Sequence, residues 1–319
     1  MRKCIEGIKK VIYDQVKLNR LCLTGIRFSE HQKTYFWTNE NIAAYLDLVD
    51  FEGKDSALAV LASGDQTFNL ITKGIANIDT FDTNKFTEYF ALGFKRALIL
   101  KYNYQEFCII TQILRNPRLT KEELNEVFIG LFPFMELKHR IFWQQILDYN
   151  YQIQQEFGTN LNLLGILSLE KLSNRSMYSL FFNNYLKDEE SYEFLRSQLG
   201  LANISFTYSN AIDLPRVFSK SYDFILLSNI LDYFYKSLGC NWDYEELQKY
   251  EQQLEPLLND DGVIFLHYAM ACLKDSKIFR NKIINSSKVN IGDLVNEEFI
   301  TLPPFCGTTN GMILKRVTK

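Results

Sequence analysis

The chain has 319 residues, of which 47% are hydrophobic and 14% aromatic, and its 38 acidic and 35 basic groups give a formal net charge of −3. A chain of this length buries about three quarters of its unfolded surface, so it needs neither disulfides nor a structural metal to form a core. The balanced charge and a sequence pI of about 5.8 leave no electrostatic footprint for nucleic acid, which we therefore do not expect as a partner.

The cysteines and the apolar runs indicate the compartment. Six cysteines are scattered without a Cys-x-x-Cys pair, and only three histidines accompany them, so we expect reduced thiols, no metal site and a cytoplasmic location. The longest apolar stretch, Val263 to Leu273, is about half the length of a membrane-spanning helix. No transmembrane segment is therefore expected, and peripheral contact with a lipid surface stays open.

The N-terminal third begins with a predicted helical cap over residues 1–50. Within it, Thr38 or Asn39 is the expected N-cap of a helix that runs through Leu46. Tyr35, Phe36 and Trp37 either belong to this hydrophobic cap or offer π faces to a cationic ligand.

An alternation of strands and helices then begins. Ala57 to Ala62 is a continuous apolar run, typical of a strand that is buried on both faces of a parallel sheet. A helix is predicted from about Gln66 to Gly74, then a second strand ending at Asp82 and an amphipathic helix from about Lys85 to Tyr102. This order is a βαβ unit, the building block of a parallel sheet.

The rest of the chain predicts an insertion followed by the second half of the sheet. Residues 103–200 are helical throughout, which is too long for one crossover, so we interpret them as a helical insertion that roofs the sheet. Strand patterns return over residues 201–319, and two of them close together near residues 297–317 suggest an antiparallel edge. The predicted fold is a Rossmann-like, doubly wound α/β sheet whose halves are residues 51–102 and 201–319.

In such a sheet, ligands bind outside the carboxyl ends of the strands, near the switch in strand order. The first loop there, Ser63-Gly64-Asp65, places a glycine directly after a strand, where a ligand passes close to the backbone. Amides at the following helix start suit a carboxylate, and Asp65 suits an ammonium group. The second and third glycines of G-x-G-x-x-G are missing, which argues against a nicotinamide oxidoreductase.

Asp82 follows Gly64 by 18 positions and ends the second strand. An acidic residue about 20 positions after the glycine turn accepts hydrogen bonds from a ribose hydroxyl pair in nucleotide-binding sheets. Asp82 and Asn84 can also cap the helix that follows, and the two roles do not exclude each other. Asp79 is a weaker candidate for the ribose contact, because it falls inside the strand.

Polar residues also end the third and fourth strands. Asn210 can present its amide to an adenine edge, and Ser228 and Asn229 border the same cleft. Together with the first two loops, these residues predict one nucleoside-sized pocket.

Taken in order, "ALAVLASGDQTFNLI", "IDTFDTN", "FTYSNAIDLP" and "YDFILLSNILDYF" resemble the successive motifs of class I S-adenosylmethionine-dependent transferases. Ser63-Gly64-Asp65 with Asn69, and the upstream "TNENIAAYL", resemble more narrowly the S-adenosylmethionine:diacylglycerol 3-amino-3-carboxypropyl transferases. The resemblance covers about residues 38–102 and 200–270.

The resemblance implies S-adenosylmethionine as the cofactor and a small or lipid-like acceptor. It implies that the loop from Ser63 to Gln66 lies under the methionine part, that Asp82 binds the ribose, and that Asn210 with Ala211 faces the adenine. The sequence departs from the common pattern at Ala62 and Gln66, where glycines are usual, and at Asn210, where Asp is usual.

A sulfonium is already an activated electrophile, so the protein has chiefly to align and desolvate a nucleophile. Methyl transfer and aminocarboxypropyl transfer both stay open. Asp232 and Tyr233 are the first candidates for a base, and His267 is the next. The alternative class is a non-catalytic nucleoside-binding or interaction module with the same fold.

Overall fold

The computed structural model describes residues 36–38, 40–113, 121–157, 182–230, 244–269, 297–301 and 311–317. Seven strands in these ranges form one sheet, in the order β3-β2-β1-β4-β5-β7-β6. The strands are β1 (Ser56–Val60), β2 (Asn77–Asp82), β3 (Asn203–Tyr208), β4 (Tyr222–Leu226), β5 (Leu258–Ala269), β6 (Glu297–Thr301) and β7 (Gly311–Val317). Strands β1 to β5 are parallel and β7 is antiparallel to both its neighbours, which confirms the predicted α/β class and its antiparallel edge.

Helices cover the sheet on both faces. They are α1 (Ile42–Leu46), α2 (Asp65–Thr72), α3 (Arg96–Lys101), α4 (Tyr104–Ile113), α5 (Lys121–Leu131), α6 (Leu137–Phe157), α7 (Glu189–Leu199), α8 (Leu214–Val217) and α9 (Tyr244–Leu254). A π-helix, Glu88–Lys95, leads directly into α3. None of the helices in the described ranges is long and apolar enough to cross a membrane.

The N-cap of α1 differs from the predicted one. Asn41 caps the helix by accepting a hydrogen bond from the Ala44 N–H at 3.1 Å. Thr38, one of the two predicted caps, instead donates its N–H to Asp65. Asn39, the other, lies outside the described residues.

The side chains of strand β1 contribute to two separate hydrophobic cores, one on each face of the sheet. Ala57 and Ala59 belong to a large core on one face, whereas Leu58 and Val60 belong to a smaller core on the other. A strand covered on both faces has no polar side to show in its sequence, which explains the uninterrupted apolar run.

The helical insertion packs into the larger core. Trp143 of α6 donates its indole N–H to the Tyr89 carbonyl of the π-helix at 2.9 Å. Gly93 allows this close approach, since a Cβ there would lie 3.0 Å from the Cβ of His139 on α6. The π-helix is thereby fixed between the insertion and the sheet. The division into four segments stays a prediction.

Candidate functional site

The four predicted loops meet at the carboxyl edge of the sheet, around the end of β1. Strands β2 and β4 lie on either side of β1, so the direction of the strand order changes between β1 and β4. The Leu61 N–H donates to the Phe81 carbonyl, and the Ser209 N–H donates to the Asp82 carbonyl. These bonds extend the sheet by a residue and bring the loops after β1, β2 and β3 side by side.

Two residues other than glycine adopt left-handed backbone conformations at this edge. Ala62, after β1, has φ of 42°, and Ser228, after β4, has φ of 58°. Such strain persists only where the surroundings fix it, and it concentrates at ligand sites. Here the Ala62 N–H donates to the Asp82 carboxylate, and the Ser228 hydroxyl donates to the Glu40 carboxylate. The strained residues therefore lie on both sides of the switch point.

The Asp82 carboxylate stands at the end of β2, half-buried beside the loop after β1. Its Oδ2 accepts from the Ala62 N–H at 3.0 Å, and its Oδ1 accepts from the Asn84 N–H at 2.8 Å. Burial raises the pKa of Asp82 to about 6, against the opposing effect of these hydrogen bonds. Hydrogen bonds from the Thr87 side chain and the Thr83 backbone oppose the shift as well.

Gly64 is required for a reason that the sequence did not indicate. It has φ of 82°, and a Cβ built there would lie 2.9 Å from Ala91 Cβ and 3.0 Å from the Phe68 ring. The space that a side chain would need is filled by the protein itself. Packing within the protein is therefore sufficient to exclude a Cβ here, and the close passage of a ligand stays a prediction.

Asp65, predicted as an acceptor for an ammonium group, is fully buried and accepts four hydrogen bonds from the protein. The donors are the Thr38 N–H (2.5 Å), the Ser63 hydroxyl (2.8 Å), Lys95 Nζ (2.6 Å) and the Tyr185 hydroxyl (2.6 Å). Its role differs from the predicted one, because the carboxylate is paired with groups inside the protein and is not exposed to the cleft.

Lys95 is the cation that matches Asp65. Its side chain is fully buried at the end of the π-helix, where Nζ also donates to the Phe36 and Ser63 carbonyls at 2.7 and 3.1 Å. Burial lowers the pKa of Lys95 to about 8, although Asp65 opposes this shift. Nζ lies 4.4 Å from the Trp37 ring centroid and 5.5 Å from that of Phe36. Both rings are buried in the core, which agrees with the hydrophobic-cap interpretation.

A second polar group, Glu40, connects the segment after β4 with the first turn of α2. Glu40 is 2% exposed, and its carboxylate accepts from Ser228 Oγ and from Gln66 Nε2, the latter at 3.3 Å. Gln66 is 5% exposed, and its Oε1 is buried without a hydrogen-bond partner. Buried amide oxygens normally have a hydrogen-bond partner, so this atom has accepting capacity for a water or a ligand.

The predicted asparagines and Ala211 form hydrogen bonds within the protein. Asn69 is buried and bonds Asn183 and the Asn184 N–H, so it fixes α2 to the turn before α7. Asn84 Oδ1 caps the turn at the Phe86 N–H, and Asn210 Oδ1 accepts from the Ile212 N–H. The Ala211 carbonyl accepts from the Tyr250 hydroxyl, and Asn229 Oδ1 lies 3.4 Å from Ser228 Oγ. Asn84, Asn210, Ala211 and Asn229 lie at the predicted edge, and their contacts with a ligand stay predictions.

One of the three predicted bases lies within the described residues. Asp232 and Tyr233 lie outside the described residues, as does Tyr35. His267 belongs to β5 and pairs with Ile313 beyond the last β4 partner, which puts its backbone at the carboxyl edge. The roles of all three candidates stay predictions.

Three residues of this edge were missed in the sequence. Glu40 and Tyr185 carry no signal there, because the side-chain partners named above are not near neighbours in sequence: Ser228 and Gln66 lie 188 and 26 positions from Glu40, and Asp65 lies 120 positions from Tyr185. Lys95 does carry one. It falls four residues after Ala91 and three before Leu98, on the apolar stripe of its helix, where a charge needs a buried partner.

Comparison by sequence finds no matching protein family and no similar curated protein. Among solved structures, an rRNA methylase from Streptococcus thermophilus is similar at 8% identity and TM-score 0.33, over 83% of this chain and 89% of that one. The rRNA methyltransferase aviRa from Streptomyces viridochromogenes gives 10% and 0.36, over 86% and 83%. A SAM-dependent methyltransferase from Methanosarcina mazei gives 11% and 0.35, over 86% and 98%.

One expectation is corrected at this point. The whole-chain charge was taken to exclude nucleic acid, yet two of these proteins are rRNA methyltransferases by title. Net charge averages over the whole surface and does not describe the face around one cleft, so it was not a sound basis for the exclusion. The fold assignment itself follows from the strand order and directions described above.

Proposed function

We propose that this chain is an S-adenosylmethionine-dependent transferase. The observation that carries the proposal is the Asp82 carboxylate, which ends β2 and is held by the Ala62 and Asn84 amides beside the switch point. A carboxylate in this position of a doubly wound sheet accepts hydrogen bonds from the two hydroxyls of a ribose.

The other groups at this edge fit the rest of the cofactor. The buried Gln66 Oε1 lacks a hydrogen-bond partner and suits the ammonium group of the methionine part. The neighbouring Glu40 carboxylate gives this end of the cleft the negative charge that an ammonium and a sulfonium need. Asn210 and Ala211, after β3, border the expected adenine position.

The bound cofactor would supply a carbon already activated by the sulfonium. The chain then has to exclude water and hold an acceptor in line with the breaking carbon–sulfur bond. We propose that Ser228 and Asn229, which follow β4 next to β1, border the side from which an acceptor approaches. For a hydroxyl or amine acceptor we propose Asp232, Tyr233 or His267 as the proton acceptor.

The transferred group follows from which carbon is attacked. Attack on the methyl carbon leaves S-adenosylhomocysteine, and attack on the γ-carbon of the methionine part leaves methylthioadenosine. The resemblance to the aminocarboxypropyl transferases makes a lipid-like acceptor our first choice. A screen with both diacylglycerol vesicles and ribosomal RNA, followed by analysis of the nucleoside product, identifies the group and the acceptor together.

Calorimetric titration with S-adenosylmethionine and S-adenosylhomocysteine tests the proposal. We expect saturable binding that Asp82→Ala weakens by about 1 to 3 kcal/mol, since a hydrogen-bonded carboxylate is lost. Asp79→Ala is the matched control, because Asp79 lies in the same strand and bonds Ser205, Tyr222 and Lys220 instead. Absence of binding to the folded wild-type protein contradicts the cofactor assignment. Binding without turnover on any acceptor favours the non-catalytic alternative.

A further inference from the structure

Lys95 joins the two chain segments that carry the polar groups of the cleft. One segment contains Phe36, whose carbonyl accepts from Nζ at 2.7 Å, and leads to Glu40. The other contains Ser63, whose carbonyl accepts from Nζ at 3.1 Å, and leads to Gln66. The third hydrogen bond, to Asp65 Oδ1 at 2.6 Å, uses the last ammonium proton. All three donors of the ammonium group are therefore engaged within the protein.

Stability alone does not explain this arrangement. Moving a lysine and an aspartate out of water is expensive, and a well-packed apolar pair of similar volume is often equally stable or more so. Nζ is surrounded by apolar rings, since Phe36, Trp37 and Phe68 all lie within 6.0 Å of it. The ion pair instead fixes a geometry. Nζ can donate to all three acceptors only when the two carbonyls keep one placement relative to Asp65.

The placement of these carbonyls is transmitted to the cleft through short connections. Ser63 follows Ala62, which has a left-handed backbone and donates its amide to the Asp82 carboxylate. A shift of the Ser63 carbonyl therefore displaces this amide, which orients the carboxylate proposed to bind the ribose. The two segments also meet directly, because Gln66 Nε2 donates to the Glu40 carboxylate at 3.3 Å. Misplacement of a binding group by about 1 Å is enough to reduce ligand binding or turnover substantially.

From this geometry we propose that Lys95 is a positioning residue of the ligand site, which sets cofactor affinity by holding the segment of Phe36 to Glu40 against the loop of Ala62 to Gln66. Lys95 does not touch the ligand, because its side chain is fully buried behind the loop. The proposal rests on the proposed function and identifies what determines affinity at that same site.

The test uses the double variant Lys95→Met/Asp65→Asn, which removes both buried charges at once and so avoids an unpaired ion in the core. Lys73→Met is the matched control, since Lys73 forms an equally short ion pair of 2.6 Å with Asp47, at the opposite end of α2. Lys95→Arg is the conservative variant, because it keeps the charge and changes the geometry. Each is measured by thermal unfolding and by calorimetric titration with S-adenosylmethionine.

We expect the double variant to unfold within a few degrees of the control and to bind S-adenosylmethionine at least tenfold more weakly. Lys95→Arg is expected to keep the fold and to be weakened as well, because retained charge does not restore the two carbonyl contacts. Wild-type affinity in the folded double variant overturns the proposal.

A ligand-free measurement separates this proposal from the proposed function. Hydrogen exchange of residues 36–38 and 61–66 is compared between the double variant and Lys73→Met. Faster exchange confined to these two segments supports positioning by Lys95, and unchanged exchange overturns it. If the wild-type protein binds no S-adenosylmethionine, the proposed function fails and hydrogen exchange alone decides the role of Lys95. If the double variant does not fold, the same two measurements on Lys95→Arg decide it.

Discussion

The loops after β1 and β2 carry similar polar residues at the same edge of the sheet, but they use them in opposite ways. In the first loop, Asp65 is fully buried and its carboxylate is matched by Lys95 and three other donors. In the second, Asp82 is half-buried, accepts hydrogen bonds that include those from the Ala62 and Asn84 amides, and has no cation within salt-bridge distance among the described residues. An acidic residue at a strand end therefore either holds its loop in place or belongs to the cleft. The presence of a buried cation that pairs with its carboxylate distinguishes the two cases.

Removal of Asp65 is expected to have the largest effect on the difference between the two loops. Asp65→Ala leaves the Lys95 ammonium buried without its partner, and we expect a loss of about 3–5 kcal/mol in the free energy of unfolding. Urea denaturation measures it. Asp47→Ala, which removes an exposed pair of the same length, is expected to change the same quantity by less than about 1 kcal/mol. Similarly small losses of unfolding free energy in both variants would show that the buried pair does not hold the first loop in place.

Gly64→Ala tests whether the first loop is packed from within. We expect a loss of about 2–4 kcal/mol, because left-handed strain adds to the overlap with Ala91 and Phe68. Gly74→Ala is the control, since Gly74 has φ of 91° and nothing lies within 4 Å of its built Cβ, so only the strain of about 1–2 kcal/mol remains. Equal losses at both glycines would remove the packing argument.

The second loop is tested by pH. With a pKa of about 6, Asp82 is mostly ionised at pH 7 and mostly protonated at pH 5, and only the carboxylate accepts from both ribose hydroxyls. S-adenosylmethionine affinity is then expected to fall about tenfold from pH 7 to pH 5, as the fraction of carboxylate falls. Calorimetry at both pH values measures this. A folded Asp82→Asn variant whose affinity has the same pH dependence would rule out Asp82 as its source.

The raised pKa also fixes the direction of the effect on stability. The folded protein holds the Asp82 proton more tightly than the unfolded chain, so this group's contribution to the free energy of unfolding decreases as the pH rises from about 4 to 6. Ligand affinity and this contribution are therefore expected to change in opposite directions over the same range.

The smallest expected effect is that of Ala62→Gly. Glycine removes the strain of a left-handed alanine but makes the unfolded chain more flexible, and the two terms leave a gain of about 0.5 kcal/mol in the free energy of unfolding. Chemical denaturation measures it, with weaker S-adenosylmethionine binding expected if the Ala62 amide loses its fixed direction toward Asp82. A clear loss of stability would mean that the left-handed φ is not strained.

The strands were predictable because each follows from local information. The apolar run beginning at Ala57, and the polar ends of β2 at Asp82 and β4 at Ser228, were all apparent in the sequence and match the sheet to within two residues. Helix α7 starts with an acidic first turn after its N-cap, Asp188, and ends before Gly200, and both features are local in the sequence. Capping residues and buried strands leave a local pattern, so they can be found without tertiary contacts.

The interior of the candidate site could not be predicted in the same way. Asp65 is matched by donors 27, 30 and 120 positions away along the chain, namely Thr38, Lys95 and Tyr185. Spacing rules describe neighbours on one helix or strand, and they say nothing about side chains that meet through the fold. The same limit hid Glu40, which reaches Ser228 across 188 positions.

The position of β7 has a consequence for how the sheet is completed during synthesis. Strand β7 lies between β5 and β6, although β6 precedes it in the chain. Among the described strands, β6 has no partner and the edge of β5 is open until β7 has emerged from the ribosome. Open edges recruit other chains, so this interval exposes the nascent protein to misassociation. Strand β7 both covers the edge of β5 and brings β6 into the sheet.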